Sequence, residues 1–176
     1  MGIFLKIIIG VAILIAVVLI IALFIKNEYS IEREIAINRP KQQVFDYVRY
    51  LKNQDNYSKW VMEDPNMRKD FKGVDGQVGF VYAWDGNDKA GKGEQEIKKI
   101  AVGDNVDIEI RFIKPFEGIA QTNISTESLS ENKTKVKWVM NGRSSYPMNL
   151  TNLFIDNILG KDLALSLNSL KAILEK

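Results

Sequence analysis

Three regimes of hydrophobic patterning divide the chain. Between Lys6 and Lys26 runs IIIGVAILIAVVLIIALFI, nineteen residues without a charge. It has no polar face at helical spacing, so it does not read as a helix packed in a soluble core. As a helix it reaches about 28 Å, close to the hydrocarbon thickness of a bilayer, where β-branched residues and Gly10 are tolerated because every backbone group bonds internally. The competing reading is a cleaved signal peptide. Such peptides carry an apolar stretch of about 7–15 residues before small residues, whereas this longer one ends LFIKNEYS. Residues 1–26 are therefore expected to be a retained anchor crossing the membrane once through residues 7–25, with residues 27–176 forming one domain.

From Tyr29 the pattern changes. YSIEREIAI turns Ile31, Ile35 and Ile37 to one side of a strand that begins almost directly after the apolar run. PKQQVFDYVRYLKN then repeats Val44, Val48 and Leu51 at spacings of four and three, with Phe45 widening the stripe and Pro40 in the first turn, where its missing N–H costs nothing. This predicts a short amphipathic helix. A second short helical or turn segment carries Tyr57 and Trp60 and stops before Asp64-Pro65.

From Asn66 to Ser144 the period is two, punctuated by clusters of Gly, Asn and Asp. Antiparallel strands are expected over 66–72, 78–85, 92–101, 105–114, 117–128 and 133–142. In VDIEIRF, Val106, Ile108, Ile110 and Phe112 face one way and Asp107, Glu109 and Arg111 the other, so one side of the sheet is wet. After Tyr146-Pro147 the helical period returns, with Leu163, Leu167, Leu170 and Leu174 on one stripe and Leu150, Leu153 and Phe154 on an earlier one. Gly160 costs about 1 kcal/mol in a helix interior, so a kink or break is expected there.

Composition narrows the chemistry. The 176 residues contain no histidine and no cysteine. This excludes Ser-His and Cys-His nucleophile pairs, disulfides and the usual zinc sites, and no metal is expected. Of 24 basic residues, Lys6 and Lys26 belong to the anchor, which leaves 22 against 22 acidic ones in the domain. A neutral domain with no basic run longer than Lys98-Lys99 is a poor polyanion binder, so nucleic acid is not an expected partner. Lys26, Arg33, Arg39 and Lys41 follow the span while Lys6 alone precedes it, which leans the domain toward the cytoplasmic side of the cell membrane.

Candidate polar groups are few. Glu94 and Glu96 share one strand face about 7 Å apart, but an inward Ile97 sends both to solvent beside Lys98 and turns Gln95 inward, where its amide needs a partner. Gly91-Lys92-Gly93 lacks the third glycine and the following helix of a phosphate loop, and no cofactor is expected. Arg143 and Tyr146 stand near the entrance to the last helix, where an exposed rim is the simpler account. Asn56, Asn123, Asn132 and Asn149 head Asn-x-Ser/Thr triplets, which matter only where proteins are glycosylated.

The order strand, two short helices, six antiparallel strands and a long C-terminal helix is the helix-grip arrangement. VFDYVRYLKNQDNYSKW, DPNM, VGFVYAWDGN, GKGEQEI, KVKWVMNG and the terminal SLNSLKAILEK resemble the polyketide cyclase/dehydrase branch of the START-like (SRPBCC) superfamily across residues 29–176. The resemblance implies an α+β fold in which a curved antiparallel sheet wraps the C-terminal helix, preceded here by one transmembrane helix. It also implies a cavity between sheet and helix for a hydrophobic or amphipathic, lipid-like small molecule. Trp60, Phe80, Tyr82, Trp84, Trp138, Met140 and Phe154 are then the wall candidates, with Gln95 a polar contact. Plain core packing of the same aromatics is the competing account. The motifs single out no catalytic group. A cyclase or dehydratase using the same cavity and a membrane-tethered protein-interaction module are the two other functional readings.

Overall fold

In the computed structural model, which describes residues 2–176, the N-terminal apolar run forms one helix, α1 (Ile3–Phe24). Ala22 is its one buried residue, and its length and composition suffice to cross a membrane. After three connecting residues the chain enters the first of seven strands: β1 (Glu28–Ile37), β2 (Arg68–Lys72), β3 (Val81–Asp85), β4 (Lys92–Ala101), β5 (Asn105–Lys114), β6 (Gly118–Ser130) and β7 (Lys133–Arg143). They form one antiparallel sheet in the order β1-β7-β6-β5-β4-β3-β2. Strands β2 to β7 follow one another as neighbours, and β1 joins beside β7.

The link from β1 to β2 is helical: α2 (Lys41–Val48), a 3-10 turn (Leu51–Asn53), α3 (Gln54–Tyr57) and α4 (Lys59–Met62). Val44, Phe45, Val48 and Leu51 are fully buried, so the expected apolar stripe faces the core. After β7 a 3-10 segment (Met148–Leu153) leads into α5 (Ile155–Leu174). Leu163, Leu167, Leu170 and Leu174 of α5 pack against Ile31, Ile37, Ile97, Val106, Ile108 and Val136 of the sheet. This is the helix-grip architecture, a seven-stranded antiparallel sheet on a long C-terminal helix.

Two expectations need correction. The strand predicted over 78–85 starts only at Val81, because Gly79 takes φ +86°, a left-handed conformation that breaks the extended chain and leaves Val78 exposed. Helix α5 runs unbroken through Gly160. That glycine makes room for a neighbour: a Cβ there would meet the Arg33 guanidinium, which pairs with Asp156 in the first turn of α5 (Nη1 to Oδ1, 2.9 Å; Nη2 to Oδ2, 3.0 Å). The helical path changes earlier, at Phe154, between the 3-10 segment and α5.

The outer face of the sheet is wet, as its alternation requires, and carries a charge cluster. Arg111 Nε donates to Glu94 Oε1 at 2.7 Å and Nη1 to Glu96 Oε2 at 2.9 Å, and Nη1 also reaches Glu109. Glu96 and Glu109 sit directly opposite each other on β4 and β5, a like-charge pair that is unfavourable without the cation. The hydrogen bond from Arg111 holds Glu96 below its ordinary range, and bonds from Gln121 and Arg111 do the same for Glu109. Depressed carboxylate pKa values contribute stability above the unfolded glutamate pKa of about 4.3, and it is lost as pH falls through the lower folded values. Arg111→Met is therefore expected to lower Tm at pH 7 by about 2–4 °C, discounting for solvent screening. In thermal melts at stepped pH the deficit should shrink below pH about 4 and should be absent near pH 2.

Candidate functional site

Short local interactions set the cavity walls. Ser166, buried in α5, accepts the Lys59 backbone N–H at 2.9 Å through Oγ and donates to the Asp162 carbonyl at 2.8 Å. This docks α4 on α5 and places Trp60 and Val61 between helix and sheet. On the opposite side, Asn87 Oδ1 accepts the backbone N–H groups of Lys89 and Ala90 at 2.9 and 3.1 Å, shaping the turn after β3. The Ala90 carbonyl then accepts the Trp84 indole N–H at 3.1 Å. The ring can lie against β4 because Gly93 has no side chain; a Cβ there would stand 2.7 Å from it.

The result is a cavity of about 120 Å³ between the inner face of the sheet, α4 and the first half of α5. An apolar cavity of about 150 Å³ accepts a benzene ring, so the space suits one ring or a short chain segment. Of the eight residues proposed from the sequence, Trp60, Tyr82, Trp84, Gln95, Trp138 and Met140 line it together. Phe80 is buried but belongs to the solid core, stacked on Phe71 rather than facing the cavity. Phe154 lies on the surface, 61% exposed, because the chain reaches it from the 3-10 segment before α5 has met the sheet. Gln54, Ser58, Met67, Ile110, Phe112 and Leu159 complete much of the wall without having been singled out in the sequence. For Ile110 and Phe112 the alternation of β5 already showed the inward side; Gln54 and Ser58 carried no signal, since helical packing alone turns them inward.

Four polar side chains of the wall, Tyr82, Trp84, Thr122 and Trp138, have protein partners. Trp138 Nε1 donates to Thr122 Oγ1 at 2.8 Å, and that hydroxyl donates to the Val139 carbonyl at 2.7 Å. The Tyr82 hydroxyl donates to Asp55 Oδ1 at 2.6 Å, and Lys69 pairs with Asp55 Oδ2 at 2.9 Å. Burial, reinforced by the hydrogen bond to Asp55, pushes the Tyr82 phenol well above its ordinary range. Gln95 Nε2 donates to Gln54 Oε1 at 3.1 Å. That single bond leaves one amide donor and one acceptor of the pair without a protein partner among the described residues, whichever way the two amides are turned. No lining residue is Asp, Glu, Lys or Arg. Glu94 and Glu96 point outward to Arg111, and Arg143 is exposed beside Glu28.

The architecture matches solved structures of low sequence identity. Norcoclaurine synthase from Thalictrum flavum superposes with a TM-score of 0.65 at 10% identity, covering 86% of this chain and 96% of that one. A second structure of that enzyme, in complex with dopamine and hydroxybenzaldehyde, matches at 0.65 and 9% identity over 88% of this chain and 90% of that one. Ara h 8.0201 matches at 0.60 and 13% identity over 84% and 97%, and a protein of Chromobacterium violaceum at 0.60 and 14% over 84% and 97%. The chain thus has the fold of the Bet v1-like, or SRPBCC, proteins. No family model matches the chain, and no curated protein matches it by sequence.

Thr122 is the residue whose loss exposes how the wall is held. Thr122→Val keeps the shape but leaves the buried Trp138 N–H without an acceptor, and is expected to cost about 1–3 kcal/mol in urea unfolding followed by tryptophan fluorescence. Thr122→Ser, which keeps the hydroxyl, should recover most of that loss.

Proposed function

We propose that the protein is a membrane-anchored carrier or receptor of a hydrophobic or amphipathic small molecule, held in the cavity between sheet and α5. The observation that carries this reading is the cavity itself. It is open space of ring size walled by Trp60, Trp84, Phe112, Trp138 and Met140, with the Gln54–Gln95 amide pair and the Ser58 hydroxyl as its polar contacts. Such a lining rewards apolar guests by about 0.8 kcal/mol per buried methylene, while the free amide donor and acceptor select for one hydroxyl or carbonyl on the guest. The affinity with the polyketide cyclase/dehydrase branch rests on the motif residues quoted above, and the ligand chemistry of the norcoclaurine synthase complex lends analogy.

The enzyme reading gains less support. Acid-base catalysis needs a group in the cavity titrating near the working pH. The lining offers no carboxylate or amine, and the Tyr82 phenol is held protonated by burial and by its bond to Asp55.

The anchor is part of the proposal. α1 remains joined to the mature domain in this reading, its end bonded to the 3-10 segment by Asn149, whose Nδ2 donates to the Ala22 and Ile25 carbonyls at 2.7 and 2.9 Å. The excess of basic residues after the span supports a domain on the cytoplasmic side.

Native mass spectrometry of the full chain, extracted with its lipids, is expected to show a recurrent bound mass. Ile110→Phe, which fills the cavity from β5, should remove that mass while leaving circular dichroism unchanged; absence of any bound mass across several lipid extracts would overturn the carrier reading. Fusions at the C-terminus test the topology: a fluorescent protein should be bright and alkaline phosphatase inactive, and an active phosphatase would place the domain outside.

A further inference from the structure

Sheet register shows which end of the domain meets α1. Glu28, at the start of β1, pairs with Arg143 at the end of β7; Gly142 pairs with Ala120 near the start of β6; and Gly118 pairs with Phe112 near the end of β5. The turn between β5 and β6 and the 3-10 segment therefore lie at the same end of the sheet as α1. So does the cavity, since Trp84 pairs with Gly93 and Gly93 with Phe112.

That end carries apolar side chains the fold does not use. Met148, Leu153, Phe154 and Ile158 on the 3-10 segment and first turn of α5 are 45–61% exposed, and Phe116 and Ile119 of the β5–β6 hairpin are 67% and 57% exposed. Phe154 and Ile158, four residues apart, share one face, which Lys161 ends less than one turn later.

Hydrogen bonds measure how deep this surface sits. The Asn152 amide donates to the Lys26 and Asn27 carbonyls at 2.9 and 3.0 Å, level with the first charge after the apolar run. Asn149 bonds Ala22, four residues earlier, and the Tyr146 hydroxyl donates to the Leu19 carbonyl at 3.4 Å, seven residues earlier. At about 1.5 Å per residue these contacts lie about 3 and 8 Å inside the C-terminal end of α1 at Phe24, the depth at which interfacial segments and tyrosines settle.

We propose that this end of the domain is a membrane-docking face, in which Met148, Leu153, Phe154, Ile158, Phe116 and Ile119 enter the interfacial layer of the bilayer that α1 crosses. The inference rests on the anchor reading above and deepens it: the domain is held rigidly against the lipid with its cavity at the lipid end, so a guest passes between bilayer and cavity without crossing water. The asparagine contacts set the tilt, and the apolar collar supplies the contact area.

The chain has no cysteine, so single-cysteine variants of the full protein can each carry one nitroxide. Phe154→Cys and Phe116→Cys report on the proposed face, Val102→Cys on the opposite end of the sheet, and Leu14→Cys on the middle of α1. In vesicles of phosphatidylcholine and phosphatidylglycerol, accessibility to oxygen and to a water-soluble nickel chelate is read by power saturation. The labels at 14, 154 and 116 are expected to favour oxygen several-fold over the label at 102. A lipid-exposed label at 14, with those at 154 and 116 as aqueous as 102 or shielded from both reagents by a protein partner, would refute the docking face while the anchor stands. A label at 14 as aqueous as that at 102 would remove the anchor and the docking face with it.

Discussion

The structure depends on how α5 is seated. Its leucines at 163, 167, 170 and 174 are buried to within 8% of full coverage against the far half of the sheet, where dispersion and the hydrophobic effect close the two layers completely. Toward its N-terminus the helix meets bulky rings instead. Trp60 and Tyr57 contact Trp138 edge-on at 6.2 and 6.1 Å, and Trp84 meets Phe112 in the same way at 6.3 Å, so rigid aromatic planes prop the layers apart. The bidentate contact of Arg33 with Asp156 ties the leading turn of α5 to β1 on the open side. Closed packing at one end and propped packing at the other produce a cavity without an empty, collapsing core.

The polar groups follow the same logic. A cavity wall built from tryptophan and tyrosine is stable only if the indole N–H and phenol groups find partners that do not depend on the guest. Here Thr122, the Ala90 carbonyl and Asp55 serve Trp138, Trp84 and Tyr82, while the Gln54–Gln95 pair keeps unused amide capacity and the buried Tyr57 hydroxyl has no partner among the described residues. The wall is thereby largely apolar in character although eight of its side chains carry a nitrogen or oxygen.

At the end of the domain that meets α1, three side chains on the segment before α5 serve the junction. Tyr146 and Asn149 bond the Leu19 and Ala22 carbonyls of α1, and Asn149 and Asn152 bond the Ile25 and Lys26 carbonyls just past its end. The domain is joined to its helix by hydrogen bonds as well as by the short connection at residues 25–27, and the two therefore share an orientation.

What the sequence determined by itself was everything periodic. The apolar run, the alternation of β4 and β5, whose bounds at 92–101 and 105–114 match the structure, and the leucine stripe of α5 all follow from local spacing. The inward turn of Gln95 followed from the same alternation. What only the tertiary structure decided were the departures from period. Val78 left the strand because Gly79 turned left-handed, Gly160 stayed helical and serves to admit Arg33 beside the helix, and Phe154 stayed outside because the chain enters α5 late. Asn149 was visible only as the head of an Asn-x-Thr triplet, since its partners lie more than a hundred residues away at the end of α1. Periodicity reports which side of an element is apolar; whether two such sides close on each other or stand apart depends on side-chain shape and long-range hydrogen bonds, which exist only once the layers have met.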